Sequence, residues 1–160
     1  MIERKMRRFR QELPQDEVLR ILSTGKVAVW AVSGDDGYPY AVPVNYVYDN
    51  GCLFLHSASQ GHKIDAIKRN PKCSVCIIDK ADVIPEEFTS YFRSVIAFGK
   101  AEILDEVNDK ISALRLLSEK YSKGIDPTAE INKFLKVVAV IRIKIEKVTG
   151  KEAIELARQR

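Results

Sequence analysis

The chain has 160 residues, 46% hydrophobic and 30% charged, so it is long enough to bury one core and has the composition of a globular domain. Its net charge of +4 resides in the first ten residues, where five basic side chains oppose Glu3. The remainder is neutral and lacks an aromatic-rich basic face, a signal peptide and an apolar run of about 18 residues, which argues against nucleic-acid-binding, secreted and membrane-spanning proteins. We therefore predict one cytoplasmic domain over residues 1–160, with a basic arm at 1–12 that is solvated or crosses to a partner.

A helix and a strand open the predicted fold. Residues 13–25 combine a proline and two acids at the start, an apolar stripe at helical spacing and a final glycine, which predicts an amphipathic helix. Lys26–Ser33 is apolar on both alternating faces and predicts a strand that is covered on both sides. Gly34–Gly37 is then a turn into the next strand.

The next segment predicts a β-hairpin. Tyr38–Tyr48 is rich in Val and Tyr and alternates as a strand does. Pro43 cannot donate a ladder hydrogen bond, so it indicates an edge, a bulge or a ligand lying against the backbone. Asp49–Gly51 is suited to a tight reversal because Asn and Gly accept positive φ, and Cys52–Ser57 is the partner strand.

The junction after this hairpin is a candidate anion site. Ser59 is a possible N-cap, with Gln60–Lys63 as the first turn of a short basic helix. The free N–H groups of a helix start, together with an ammonium group, attract phosphate. In the alternative interpretation Gly61 only lets the chain turn tightly, and Lys63 is a solvated residue on a surface helix. The known phosphate-binding patterns, the Walker motif and GxGxxG, are absent from the sequence.

The second half of the chain alternates strands and helices. The predicted elements are a strand at Lys72–Asp79, a connection at Lys80–Ser90, a strand at Tyr91–Leu104 bent at Gly99, a helix capped by Asp105 that reaches Tyr121, a helical turn or two at Thr128–Phe134, a strand at Lys136–Thr149 and a C-terminal helix at 150–160. Cys73 and Cys76 form a CxxC inside a β-branched strand, without a second ligand pair. This favours buried thiols over a redox or metal site, and we predict no metal. Many short strands and few helices predict a mainly β fold and not a doubly wound α/β fold.

The order of these motifs resembles a known family. The segments DGYPYAVPVNYVYDNGCLFLHSASQGHKIDAIKRNPKCSV and FTSYFRSVIAFGKAEIL are similar to flavin-binding split-barrel proteins related to pyridoxamine 5'-phosphate oxidase, and within them to the nitroimidazole-resistance branch. The similarity covers residues 6–148. It implies a six-stranded antiparallel split β-barrel flanked by helices, and an FMN-binding homodimer with the flavin between the subunits.

The resemblance also implies a set of site residues. Lys63, Ser57, Gly61 and Arg93 would hold the phosphate end of FMN, and the segment Pro43–Asn45 would address the isoalloxazine edge. The full set of implied cofactor contacts is Pro43, Val44, Asn45, His56, Ser57, Ala58, Gly61, Lys63, Arg93 and Ser94. His56 is the implied catalytic residue, although its strand position is equally compatible with a histidine inside the barrel. Relatives often have Arg before the Lys of the junction, so His62 at that position could weaken phosphate binding.

The implied activity is an FMN-dependent oxidoreductase that passes electrons from a reduced nicotinamide to a nitroaromatic or nitroimidazole acceptor. A flavin-binding or storage protein without a substrate is the main alternative. A pyridoxamine-phosphate oxidase is the third and least favoured alternative, because the sequence shows no set of basic residues that would hold a second phosphate. Haem and deazaflavin are ligands of similar barrels and would replace FMN if it does not bind.

Overall fold

The computed structural model describes residues 4–160. Its strands are β1 Val27–Ser33, β2 Pro39–Asn45, β3 Val47–Asp49, β4 Cys52–Ala58, β5 Lys72–Ile84, β6 Thr89–Ile103 and β7 Val138–Glu152. Its helices are α1 Gln15–Thr24, α2 His62–Arg69, α3 Val107–Tyr121, α4 Thr128–Phe134 and α5 Ile154–Ala157.

All the strands pair antiparallel in one sheet of order β2-β1-β5-β6-β7-β4-β3. The two edge strands, β2 and β3, follow one another in the chain, so the sheet closes on itself as a split barrel. The prediction of a mainly β, antiparallel split barrel flanked by helices is confirmed. Pro43 lies in edge strand β2, where its missing N–H leaves no gap in a central ladder.

The predicted strand Tyr38–Tyr48 is in fact two strands, which raises the count from six to seven. The break falls at Tyr46, whose hydroxyl donates to the carbonyl of Leu22 at 2.9 Å. Its backbone N–H donates to the Tyr121 hydroxyl at 3.0 Å instead of to a neighbouring strand. Gly25 permits this approach, because a Cβ there would lie 2.6 Å from the Tyr46 hydroxyl.

The barrel interior follows the predicted alternation. Trp30, Ala28 and Val32 of β1 are buried in the core, and β6 presents Val95, Ala97 and Ala101 to it. The expectation that β1 is covered on both faces is wrong for the single chain, since Val27 is 53% exposed. The outer face of this sheet is therefore apolar and open.

The predicted connection Lys80–Ser90 is instead a continuation of the β5–β6 hairpin. β5 runs on to Ile84 and pairs with β6 as far as Thr89, and a single 3-10 turn at Pro85–Glu87 joins them. Proline and two acids belong to this turn, but the residues on either side remain extended. The register shift at Phe98/Gly99 confirms the bend predicted at Gly99.

Three element boundaries differ from the predictions. Helix α2 begins at His62 after Gly61, which has a φ of 116°, and not after Ser59. Helix α3 follows Glu106 and has no side-chain cap from Asp105. Strand β7 extends to Glu152, so the predicted helix at 150–160 shrinks to α5.

The predicted arm at 1–12 is partly docked. Residues 1–3 lie outside the described part of the chain. Gln11 is buried, Glu12 forms a β-bridge with Lys151, and the Leu13 N–H donates to the Gly150 carbonyl at 3.0 Å. The free, solvated part of the arm is therefore shorter than predicted.

The three cysteines are free thiols. Burial raises the pKa of Cys73, which lies in the core, and also that of half-buried Cys76. Among residues 4–160 no three His, Cys, Asp or Glu side chains are grouped closely enough to hold a metal ion. Within the same range, every helix is too short or too polar to cross a bilayer.

Candidate functional site

A cleft of about 1020 Å³ opens where edge strand β2, the end of β4 and the start of α2 meet helices α3 and α4. Its size is at the upper end of the range typical of cofactor sites. Seven of the ten predicted cofactor contacts line it: Pro43, Val44, Asn45, His56, Ser57, Ala58 and Lys63. The sheet and α2 thus bring together residues that are up to 20 positions apart in sequence.

The β2 side of the cleft is formed by an exposed strand edge. Pro43 and Asn45 point outward, whereas Val44 packs against the core. The Asn45 side-chain amide donates to the Lys26 carbonyl at 3.1 Å, which leaves its oxygen free as an acceptor. A flat ligand lying along β2 would therefore meet one apolar ring and one oriented amide.

The α2 side supplies the positive charge. The N–H groups of Ile64 and Asp65 donate to the Gly61 carbonyl, so those of His62 and Lys63 precede the first helical bonds. Half-buried Lys63 is the single lysine or arginine among the residues that line the cleft, and Glu130 is the single carboxylate. An ammonium group beside open amides is chemically suited to a phosphate.

His56 is on the outer face of β4. Leu53 and Leu55 of the same strand are buried, while His56 is exposed and lines the cleft. The interpretation of His56 as a histidine inside the barrel is therefore wrong, and its imidazole is accessible to a ligand.

Gly61 and His62, at the start of α2, do not line the cleft. Gly61 precedes the helix, and its positive φ sets the direction in which the helix leaves β4. The His62 ring stacks on Tyr40 at 4.1 Å, and its Nε2 lies 3.5 Å from the Asp35 carboxylate. His62 thus belongs to a surface cluster behind the cleft.

Arg93 and Ser94 are not brought to the cleft within one chain. The Arg93 guanidinium donates to Glu152, which is 0% exposed, at 3.1 Å, and to Asp79 at 3.4 Å. Arg20 also pairs with Asp79, at 3.0 Å, and Arg160 with Glu152, at 2.8 Å. Glu17 pairs with Arg20 as well, at 3.0 Å, so three arginines and three carboxylates form one connected ion network between α1, β5, β6, β7 and the C-terminus, and Arg93 is already neutralised there.

Helices α3 and α4, together with the cap residues Ser122 and Pro127, contribute cleft residues that the sequence did not reveal. These are Leu114, Leu117, Ser118, Tyr121, Ser122, Pro127, Glu130, Ile131 and Phe134. The helical spacing of apolar residues in α3 is visible in the sequence. This pattern is the same for a helix that packs on a barrel and for a helix that covers a cleft, so it does not predict which of the two α3 is.

The end of α3 is fixed to the strand break by two side chains. The Tyr121 hydroxyl donates to the Lys26 carbonyl at 2.6 Å and accepts the Tyr46 N–H. The Lys120 ammonium donates to the Gly25 carbonyl at 2.6 Å and lies 4.2 Å from the centre of the Tyr46 ring. Burial lowers the pKa of Lys120. Asn45 and Tyr121 share the Lys26 carbonyl, so α3 and the cleft edge of β2 are held in register.

Fold and site together define a class of protein. The family model described as pyridoxamine 5'-phosphate oxidase matches residues 14–152, and the chain belongs to this family. Among curated proteins no match was found.

Solved structures of similar fold include several flavoproteins. An FAD-binding protein from Mesorhizobium loti is 26% identical with a TM-score of 0.68, over 89% of this chain and 96% of that one. A protein provisionally assigned to 5-nitroimidazole antibiotic resistance from Bacteroides thetaiotaomicron is 23% identical with a TM-score of 0.74, over 88% and 86%. An FAD and heme binding protein from Mycobacterium smegmatis is 20% identical with a TM-score of 0.75, over 89% and 73%. The last two show likeness of fold.

Proposed function

We propose that the chain is a flavoprotein that binds FMN in this cleft and acts as an FMN-dependent oxidoreductase. The observation that carries the proposal is the convergence of Lys63, the open start of α2, Ser57 and Asn45 on one cleft with apolar walls. Membership of the pyridoxamine 5'-phosphate oxidase family and the flavin-binding names of similar structures support it.

Lys63 and the start of α2 would hold the phosphate. The helix start offers N–H groups and partial positive charge, and Lys63 adds a charge-assisted hydrogen bond. The Ser57 hydroxyl, near the end of strand β4, lines the same cleft and would bond a phosphate or ribityl oxygen. Glu130, on α4, is the single carboxylate among the residues that line the cleft. The electrostatics of the α2 side therefore favour a dianionic phosphate.

The β2 edge would hold the ring. The Pro43 ring would provide an apolar contact beside the Val44 backbone, and the free oxygen of the Asn45 amide would accept a hydrogen bond from a ring N–H. Bound FMN would supply the hydride and electron chemistry for which the side chains have no equivalent. His56 would donate a proton to the reduced acceptor, since its imidazole is exposed in the same cleft.

The flavin would lie between two subunits. The outer sheet face next to the cleft is apolar: Pro43, Val29, Cys76 and Ile96 lie in one cross-strand row. Val27, Ile78 and Phe98 extend this face, and they are 43–60% exposed. A second copy would cover this outer face and give a flat ring its second wall. Ser94 lies opposite Ile78, so it would approach the flavin from this interface.

Titration with FMN tests the proposal. We expect a yellow protein, and we expect Lys63→Ala to weaken FMN binding by about 1.5–3 kcal/mol, roughly 10- to 150-fold in Kd. The matched control is Lys68→Ala in the last turn of the same helix, which is exposed and outside the cleft. Equal affinity of Lys63→Ala and wild type would place the phosphate elsewhere.

The electron-transfer step needs its own assay. Bleaching of the bound flavin by NADH or NADPH without oxygen, followed by reoxidation with a nitroimidazole, is the expected result. Stable binding with neither step would favour the alternative of a flavin-binding or storage protein. Preference for FAD would correct the cofactor, and a protein that ignores both flavins would leave haem or deazaflavin. Oxidation of pyridoxamine phosphate is the third alternative, for which the single lining cation gives no support.

A further inference from the structure

The far end of the β5–β6 hairpin is a two-stranded ribbon, held at its base by the Ala153 N–H, which donates to the Phe92 carbonyl at 2.8 Å. β1 pairs with β5 only at Cys73–Cys76, and β7 pairs with β6 only from Arg93 onward. Residues 80–92 therefore pair with each other and have no third strand. Two-stranded ribbons are marginal in water unless something covers them.

The tip of this ribbon is exposed, apolar and acidic. Phe88 is 98% exposed, and its backbone is in the left-handed region with a φ of 49°, which is unfavourable for an aromatic residue. Val83 is exposed beside it. Between residues 82 and 90 the charged residues are Asp82, Glu86 and Glu87, and none is basic. We call residues 82–90 the acidic tip.

The opposite end of the same two strands is basic. A groove of about 1710 Å³ lies there, between the N-terminal arm and the outer face of the sheet, with Phe9 and Phe98 in its walls. Five cations and two carboxylates line it: Arg4, Lys5, Lys72, Lys100, Lys147, Glu12 and Glu146. We call this the basic groove, and its excess of positive charge is complementary to the acidic tip, where Glu86 and Glu87 carry the negative charge that remains after Asp82 pairs with Lys80.

An unfavourable row of like charges crosses the sheet at the edge of the basic groove. Lys72, Lys100 and Lys144 lie directly opposite one another on β5, β6 and β7, and like charges in such positions repel. Lys100 is paired with Glu146 at 3.3 Å, which neutralises one charge of the row. An acidic partner would relieve the remaining repulsion.

Two-fold symmetry can bring the tip and the groove together. Ile78 is the midpoint of β5 and lies on the open apolar face, and Ser94 of β6 lies directly opposite it. From this pair the tip, at Ile84 and Thr89, and the groove lysines, Lys72 and Lys100, lie five or six residues away, roughly 20 Å in opposite directions. An axis in the plane of a face-to-face dimer and perpendicular to these strands superposes the tip of one copy on the groove of the other. An axis parallel to the strands would place acidic tip against acidic tip.

We propose that the acidic tip of one protomer docks in the basic groove of a second copy, so that two reciprocal contacts fix the orientation of the dimer. This rests on the dimer of the proposed function and adds which axis it uses and which residues meet. Phe88 would enter between Phe9 and Phe98 of the partner, while Glu86 and Glu87 face its lysines.

A charge swap with analytical ultracentrifugation tests the docking. Glu86→Lys/Glu87→Lys reverses the tip and Lys72→Glu/Lys147→Glu reverses the groove. We expect each to raise the dimer dissociation constant at least about tenfold at low salt, and the four changes together to restore it. Asp105→Lys/Glu119→Lys, on exposed positions around α3, changes the net charge as the tip variant does and should leave dimerisation unchanged.

The outcomes separate this inference from the proposed function. If the wild type is a dimer and the swaps have no effect, or the combined variant stays monomeric although its circular dichroism is native, the tip is not in the groove. A wild-type monomer would overturn both this docking and the proposed dimer, whereas FMN titration of the same samples reports flavin binding independently. Binding of inorganic phosphate that is lost on groove reversal, without any change in dimerisation, would make the groove a small-anion site and overturn the docking.

Discussion

Lys63 and Arg93 are equivalent phosphate ligands by sequence, and the fold gives them opposite surroundings. Lys63 begins a helix beside open amides and has no carboxylate partner among the described ion pairs. Arg93 stands between Asp79 and buried Glu152. Residue type and local spacing identify a cation, but only the fold decides whether its charge is available to a ligand.

The first prediction tests the Arg93 side of this comparison. Arg93→Met leaves the Glu152 carboxylate buried with Arg160 as its remaining partner, and we expect the free energy of unfolding to fall by about 3 kcal/mol. Urea denaturation measures it, with exposed Arg115→Met as the control. FMN affinity should stay within about twofold of wild type, at the level of weak surface effects. A larger loss of affinity would restore Arg93 as a flavin contact.

The second prediction removes the other partner. Glu152→Gln keeps the shape of the side chain and leaves Arg93 paired with Asp79, so the loss should be smaller, about 1–2 kcal/mol. Denaturation beside the exposed control Glu106→Gln provides the measurement. A loss as large as that of Arg93→Met would mean that Asp79 does not support the guanidinium.

The third and smallest effect concerns the cluster behind the cleft. Arg69 holds the pKa of the Asp35 carboxyl below its usual 3.8 by a hydrogen bond, with burial opposing and His62 adding a weaker attraction. A lowered pKa in the folded state favours folding while the carboxylate is charged, so this contribution exists above about pH 4 and is lost as pH falls through the lowered pKa.

Arg69→Gln should therefore lower the melting temperature slightly at pH 7, and this difference should shrink as the pH falls below about 4, as measured by thermal circular dichroism. Lys68→Gln, in the same last helical turn, controls for the lost interaction with the helix dipole. A difference that does not shrink as the pH falls would assign the effect of Arg69 to packing and not to Asp35.

The parts of the fold governed by local chemistry could be predicted from the sequence. Asn50 and Gly51 both have positive φ, as the hairpin prediction required. The buried residues of α1 are those of its predicted apolar stripe, and α4 occupies the predicted residues 128–134. In each case the signal lies within a few residues of the structure it specifies.

The break at Tyr46 and the cover of the cleft could not be predicted in this way. Alternation continues through Val44, Tyr46 and Tyr48, so periodicity does not mark the break. Its causes are Leu22 and Tyr121, which are 24 and 75 positions away. Likewise, no residue near Arg93 in the sequence indicates that the Glu152 carboxylate will neutralise its guanidinium.

The single residue between β2 and β3 also governs how firmly the two sides of the cleft are held. Because two backbone steps span at most about 7.6 Å, the two rims of the sheet cannot part widely beside Asn45. On that side of the cleft the strands β2 and β3 are fixed relative to one another. The opposite side of the cleft consists of α3 and α4. On that opposite side the hydrogen bonds of Lys120 and Tyr121 to the Gly25 and Lys26 carbonyls hold the end of α3 against the strand break, so both sides of the cleft are fixed by contacts at this single residue.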